Sequence, residues 1–211
     1  MAVENAPLRT ISDFKSRLQG GGARPNLFEV SIPNWPGSKP ADRETLNFMA
    51  KASGIPAFNI AAIDIPFRGR QFKVAGDRTI DNWTVTVIND EEWNLRTLFE
   101  QWSEKILNLN NNSGTTNPNF YMFNGFVTQL GRGVTKKSKD SGDAKTNTSA
   151  ILATYKFVDI WPVTVGDIAL SYDTGDTIEE FDVEFAVQSI QTLPENDLKN
   201  KIISPIADSE D

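Results

Sequence analysis

The feature that most constrains the fold is the segment from residue 80 to residue 88, where apolar and hydroxyl side chains alternate. A period of two is typical of a half-buried β-strand, and this density of valine and threonine favours a strand over a helix. One side of the segment carries Trp83, Val85 and Val87, and the other carries Thr84 and Thr86. The segment therefore predicts a regular strand.

Weaker patterns of the same kind recur along the chain. They predict extended segments at 27–32, 46–52, 60–67, 71–75, 150–161, 168–172 and 178–190, and 120–130 is apolar enough to be ordered. Pro162 closes the strand before it, and the Asp173–Asp176 turn joins the last two strands into a hairpin. The Gly76-Asp77-Arg78 stretch has the composition of a turn.

Two segments have helical spacing instead. Residues 8–18 form a short N-terminal helix that Thr10 and Asp13 cap and Gly20 to Gly22 end, and residues 90–107 form the main helix, with Asn89 and Glu92 as its cap. With about eight or nine strands and no regular alternation of strand and helix, the predicted class is mainly β (α+β). We expect a β-barrel or sandwich with one main flanking helix.

The predicted organisation is a single domain with two extensions. Residues 1–22 form an N-terminal segment that contains the short helix. Residues 23–190 form one β domain with exposed loops at about 108–119 and 131–147. The polar, acidic segment 191–211 forms a C-terminal tail. No apolar run is long enough to span a bilayer, and the N-terminus lacks the apolar core of a secretory signal. We expect no membrane partner.

The chain contains neither cysteine nor histidine. This excludes thiolate nucleophiles, disulfides, Cys/His zinc sites and Ser-His-Asp triads. The net charge of −7 opposes non-specific adhesion to nucleic acid. Residues 131–138 lack the glycine spacing of a P-loop, and Asp173 and Asp176 lack the spacing of a calcium loop. We predict no catalytic residue, no metal and no cofactor.

Three blocks of sequence carry a resemblance to a known family. They are ARPNLFEV at 23–30, VAGDRTIDNWTVTVINDE at 74–91 and WPVTVGDI at 161–168, followed by the closing strand that ends at Gln188. In this order and spacing they resemble the tail tube proteins of T-even-like contractile-tailed bacteriophages. The resemblance spans about 23–188 and is weak over 108–147.

The resemblance implies a structural role. Subunits of this family form hexameric rings that stack into a tube inside a contractile sheath, and the tube is the conduit for genome ejection. The implied partners are other copies of the chain, the sheath protein, the baseplate initiator, the tail terminator, the tape measure protein and double-stranded DNA in the lumen. The implied location is the virion tail, assembled in the host cytoplasm.

Two other functions remain open at this point. A baseplate tube initiator, or the tube protein of a phage-tail-like injection or type VI secretion apparatus, would share the fold. A carbohydrate-binding or carbohydrate-degrading β-module on a virion is suggested only by the five tryptophans.

The candidate lumen residues are Glu180, Asp182 and Glu184, which share one face of the 178–190 strand. An acidic wall would let DNA slide without sticking, whereas the alternative is a solvated face or a row paired with lysines. A catalytic carboxylate pair is disfavoured because no pocket signal accompanies it. The 178–190 strand and the strand that contains Trp83 are the longest regular extended segments. Both are predicted to contribute to a sheet that forms between subunits.

Two further sets are predicted to make contacts in the assembly. Asp77 and Arg78 are candidate ring contacts, with an intramolecular turn as the alternative. The basic loop at 131–147 is a candidate contact for the sheath or a neighbouring ring, with a solvated loop as the alternative. Its candidate residues are Arg132, Lys136, Lys137 and Lys139.

Overall fold

The structure is a computed structural model, and it describes residues 10–18, 22–132 and 151–193. Within these ranges the chain forms nine strands and three α-helices. The strands are β1 (Phe28–Ser31), β2 (Ala50–Ser53), β3 (Phe58–Phe67), β4 (Arg70–Ile80), β5 (Trp83–Ile88), β6 (Phe123–Leu130), β7 (Ile151–Val165), β8 (Glu180–Ala186) and β9 (Ser189–Leu193). The helices are α1 (Ile11–Arg17), α2 (Pro40–Met49) and α3 (Asn94–Ile106). No helix in the described ranges is long and apolar enough to cross a membrane.

The long strand β7 connects two antiparallel layers. Its first half pairs with β6 and β9, and β6 also pairs with β1; these strands form the first layer. Its outer half, Trp161–Val165, pairs with β8, which continues through β5 to β2; these strands form the second layer. Asp159, at the transition between the two halves, has a positive φ of 54°. The predicted mainly β sandwich is confirmed.

The core lies between these layers. The ring of Trp83 packs 4.7 Å from Phe157 of the first layer and 5.2 Å from Phe185 of the second, measured between centroids. Helix α3 inserts Phe99 and Trp102 against the same cluster. All five side chains are buried, as the alternation around Trp83 and the helical spacing of α3 predict.

Both predicted helices are present. Thr10 and Asp13 form the expected capping box of α1. Helix α3 is shorter than predicted, and the proposed cap at Asn89 is wrong. The Asp90 carboxylate accepts hydrogen bonds from the backbone N–H groups of Asn94 and Leu95, at 3.2 and 3.4 Å.

The strand predicted at 46–52 is wrong over most of its length. Helix α2 occupies 40–49, and only the short strand β2 follows. Pro40 stands in the first turn of this helix, where its missing N–H costs nothing, and the Lys39 N–H donates to the Asp42 carboxylate at 2.7 Å. Leu46 is buried. The helix is therefore stabilised by this apolar contact as well as by the hydrogen bond at its N-terminus.

Strands β3 and β4 form a separate two-stranded hairpin, which we call the arm (residues 58–80). The strands predicted at 60–67 and 71–75 are confirmed and extended. The turn predicted at Gly76-Asp77-Arg78 is wrong because these residues lie inside β4, and the chain reverses instead at Arg68 and Gly69, both with positive φ. Almost every arm residue is exposed, including large apolar side chains.

Three predictions near the end of the described chain need correction. Strand β7 continues through Pro162 instead of ending there. Residues 166–179, which we call the distal loop, contain no strand, so the strand at 168–172 and its hairpin are wrong. The predicted 178–190 strand is divided into β8 and β9, and β9 continues to Leu193, past the predicted boundary at 190.

Candidate functional site

Strand β8 presents a row of carboxylates on the face of the second layer that points away from the core. Glu184 lies opposite Thr84 of β5, Asp182 opposite Thr86, and Glu180 opposite Ile88. The intervening residues of β8 are the buried Phe181, Val183 and Phe185, so the alternation of the strand places the three carboxylates together. The predicted common face of Glu180, Asp182 and Glu184 is present.

Each carboxylate has one polar neighbour. The Lys51 ammonium contacts the two oxygens of Glu180 at 2.5 and 2.7 Å, the Thr86 hydroxyl donates to Asp182 at 2.6 Å, and the Asn82 amide donates to Glu184 at 2.9 Å. Lys51 is the one cation paired with this row among the described residues. The row therefore keeps excess negative charge, and lysine pairing, the alternative prediction, holds for Glu180 alone.

The edges of the second layer differ from the prediction. Strand β8 lies between β7 and β5, and β5 lies between β8 and β2, so neither has an edge to offer a neighbouring subunit. These two strands therefore cannot supply the edges of a sheet between subunits, and their place within such a sheet remains a prediction. In the described ranges, β2 and the outer half of β7 each have one side without a strand partner. Pro162 inside β7 was the available signal, because proline within sheets is confined to edge strands and bulges.

Asp77 and Arg78 lie near the base of the arm on β4, and both are exposed. Arg78 pairs across the arm with Ile60, and its guanidinium carbon is 5.6 Å from the ring centroid of Phe58. A cation held over an aromatic face in this way is a positioned donor that can still reach outward. Their role as ring contacts remains a prediction.

The predicted loop contacts are only partly described. Arg132 is exposed just after β6. Lys136, Lys137 and Lys139 lie outside the described residues, as does the chain from 194 onward. The other predicted loop, 108–119, is exposed, and Asn108, Asn111 and Asn117 each accept backbone hydrogen bonds within it.

The described residues include no cluster of three or more acidic side chains arranged to hold a metal ion. Among the described residues, the geometry offers a set of surfaces: an acidic sheet face, the two unpaired edges of the second layer and a projecting arm. Such features are suited to association between protein subunits.

Comparison with known proteins identifies the family. The phage tail tube protein family matches residues 23–192. Tail tube protein gp19 of Enterobacteria phage T4 is 34% identical over 178 residues, covering 84% of this chain and 96% of that protein.

Solved structures share the fold at low identity. A chain of the anti-feeding prophage baseplate aligns with a TM-score of 0.55 at 12% identity, covering 82% of this chain and 95% of its own. A chain of the PVC sheath–tube complex, an extracellular contractile injection system, aligns with a TM-score of 0.52 at 12% identity, covering 84% and 96%. The predicted resemblance is confirmed, and the chain belongs to the phage tail tube protein family.

Proposed function

We propose that this protein is the structural subunit of a phage tail tube, in which six copies close into a ring and rings stack inside a contractile sheath. The observation that carries the proposal is the second layer, a four-stranded sheet with two unpaired edges, one face on the core and one acidic face. A solved neighbour with this fold belongs to a six-fold symmetrised assembly, which supports the number of subunits.

The ring closes by pairing strand edges. Unpaired backbone N–H and C=O groups at β2 of one copy would bond those of the outer half of β7 in the next. Because this contact joins two different surfaces, it is heterologous. Heterologous contacts form closed rings when the successive rotations between copies add up to one full turn. The four strands of each copy then form one section of a continuous β-wall.

The face that carries Glu180, Asp182 and Glu184 lines the lumen of this ring. The core and helix α3 lie on the other face of the same strands, so only the acidic face is free to line a channel. DNA carries one negative charge for every ~1.7 Å of duplex, and a wall with excess negative charge gives it no binding site along the path. The genome, and the tape measure protein before it, would pass without stable contacts.

The remaining surfaces fit the other proposed partners. With the acidic face inward, the first layer and Arg132 face the sheath. Ring contacts at Asp77 and Arg78 belong to the arm. The baseplate initiator and the tail terminator would cover the two ends of the finished tube.

The test is electron microscopy together with cross-linking of the full chain. Lys51 and Val163 are exposed, on β2 and on the outer half of β7, and the native chain has no cysteine. A variant carrying Lys51→Cys and Val163→Cys should form rings in negative stain. Treatment with a short bis-maleimide should then give a ladder of covalent oligomers that ends at the hexamer.

A matched variant with Leu109→Cys and Val163→Cys serves as the control, because Leu109 is exposed on a loop far along the chain from both edges. Monodisperse single subunits at every concentration, or equal ladders in both variants, would contradict ring closure through these edges. Single rings that never extend would favour the tube initiator.

A further inference from the structure

Two unusual surfaces lie at opposite ends of the second layer. The arm ends at Ile80, shortly before β5 begins at Trp83, and the distal loop ends at Glu179, directly before β8 begins. Because Trp83 pairs with Phe185 and Ile88 pairs with Glu180, these two connections leave from opposite ends of the antiparallel β5–β8 pair. At about 3.4 Å per residue, the length of β5 separates them by roughly 20 Å.

The distal loop encloses space that no other part of the described chain fills. An open cleft of about 710 Å³ is lined only by residues 168–180. Leu170, Tyr172 and Ile178 line it and yet remain largely exposed, at 73%, 109% and 71%. Apolar side chains grouped around an unfilled cleft mark a binding surface.

The loop is also strongly acidic. It contains four carboxylates and no basic residue: Asp167, Asp173, Asp176 and Glu179. Within the described ranges neither Asp173 nor Asp176 forms an ion pair. An occupant of this cleft must therefore present apolar groups beside positive charge.

The tip of the arm has this chemistry. Phe67 and Phe72 are each 65% exposed, and they flank the turn that carries Arg68 and Arg70. The whole arm has four basic and two acidic side chains, a net charge of +2 on a chain whose net charge is −7. Positive charge and exposed aromatic rings thus coincide at the end that projects farthest from the body.

We propose that the arm tip of one copy docks into the distal-loop cleft of a second copy in the adjacent ring. Phe67 and Phe72 pack on Leu170, Tyr172 and Ile178, while Arg68 and Arg70 pair with Asp173 and Asp176. The two surfaces face opposite ends of the molecule, so the contact is head-to-tail and repeats without closing, which yields a filament. This inference rests on the proposed tube function and identifies the receiving surface of the stacking contact.

The first experiment exchanges the charges of the full chain. One variant carries Arg68→Glu and Arg70→Glu, a second carries Asp173→Lys and Asp176→Lys, and a third carries all four changes. Negative-stain microscopy should show loss of stacked tubes, with rings retained, in the first two variants. Tubes should return in the third, because like charges repel in each double variant and opposite charges meet again in the fourfold one.

A control variant, Glu44→Lys with Glu104→Lys, makes the same charge change as the loop variant at exposed helical sites. It should stack as the native protein does. Normal tubes in both double variants would overturn the docking proposal while leaving ring formation, and hence the proposed function, intact. Absence of rings in the native protein would instead count against the proposed function.

A second readout does not depend on long tubes. A Phe67→Cys chain is mixed with a Tyr172→Cys chain and treated with a bis-maleimide of about 10 Å reach, and a covalent heterodimer is expected. A mixture of Phe67→Cys with Leu109→Cys, at an exposed apolar site outside the cleft, should give only background. Equal yields in the two mixtures would overturn the contact.

Discussion

Gly125 of β6 lies directly against the indole ring of Trp83. A Cβ atom at this glycine would come 2.7 Å from Cζ3 of Trp83 and 2.8 Å from Cδ1 of Ile160, both buried side chains in the core between the layers. The strand with the strongest sequence signal can therefore pack its tryptophan only because the facing strand has no side chain at this position.

Replacing this glycine should destabilise the fold. Gly125→Ala forces two buried side chains to move, and overpacking of this kind typically costs ~1–3 kcal/mol. Urea denaturation followed by tryptophan fluorescence would measure the change. Gly54→Ala is the control, because no atom lies within 4 Å of a Cβ built at Gly54. Equal stabilities for the two variants would contradict the packing argument.

Arg96 of α3 connects the helix to the beginning of the distal loop. Its guanidinium donates to the Gly166 carbonyl, and it also donates to the Glu100 carboxylate at 2.6 Å. The guanidinium carbon lies 5.2 Å from the centroid of the Phe181 ring. Arg96→Lys cannot reproduce this planar geometry and should cost about 1–2 kcal/mol. Hydrogen exchange of the loop amides should also become faster.

Lys105→Ala on the same helix, which is exposed, is the comparison for this change. Unaltered exchange over residues 166–170 in Arg96→Lys would show that the arginine does not hold the loop.

Thr128 and Thr154 form a buried hydroxyl pair across β6 and β7, with their Oγ1 atoms 3.1 Å apart. Replacing one by valine leaves the other hydroxyl buried without a partner, which should cost ~1–2 kcal/mol. Replacing both removes the two polar groups together, so the double variant should be more stable than either single one. Denaturation of all four proteins completes the cycle, and simple additivity would contradict the pairing.

The cap of α1 should be visible in an acid titration. Hydrogen bonds from the Thr10 side chain, and then from its backbone, hold the pKa of Asp13 below its usual 3.8. A depressed pKa means that the ionised carboxylate favours the helix, a contribution present above the unfolded pKa and lost as pH falls through the folded one.

Thr10→Val should therefore raise the pKa of Asp13 toward 3.8, which an NMR titration of the carboxyl group measures directly. Thr45→Val, a hydroxyl deletion on α2, should leave Asp13 unchanged. An equal Asp13 pKa in the native chain and Thr10→Val would rule out the hydrogen bond that the Thr10 hydroxyl donates to the Asp13 carboxylate.

The sequence predicts best where its pattern reflects burial inside one chain. The alternation around Trp83 and the helical spacing of Phe99 and Trp102 identified β5 and α3, because their apolar faces fill the core of this subunit. Helix α2 was missed because its signals are local, a proline and the Asp42 cap, whereas the apolar residues after Leu46 imitate a strand.

Where apolar residues lack a partner within the described ranges, the same alternation occurs in a strand at one place and in a loop at another. Ile168, Leu170 and Tyr172 alternate as in a strand, yet they lie in a loop. Ile168 packs against the core, whereas Leu170 and Tyr172 face solvent. The alternation of Ile63, Ile65 and Phe67 did predict a strand correctly, although that strand is exposed. A sequence records that a face is apolar, but not whether the surface that covers it belongs to the same molecule.

The last prediction concerns the acidic face. The variant Glu180→Gln, Asp182→Asn and Glu184→Gln should fold and form tubes, because amide oxygens can still accept from Thr86 and Asn82 and the lost Lys51 pair is a surface ion pair worth at most about 1 kcal/mol. In a phage complemented with this variant, genome ejection should slow, since the wall becomes able to hydrogen-bond phosphate while its negative charge falls.

Single-particle measurement of DNA release compares the variant with a control, Glu44→Gln, Glu91→Gln and Glu104→Gln, which neutralises three exposed carboxylates elsewhere. Slower release confined to the β8 variant would place its carboxylates on the path of the DNA. Equal release from both would mean that this face does not line the lumen, and the acidic row would then be a solvated outer surface of the ring.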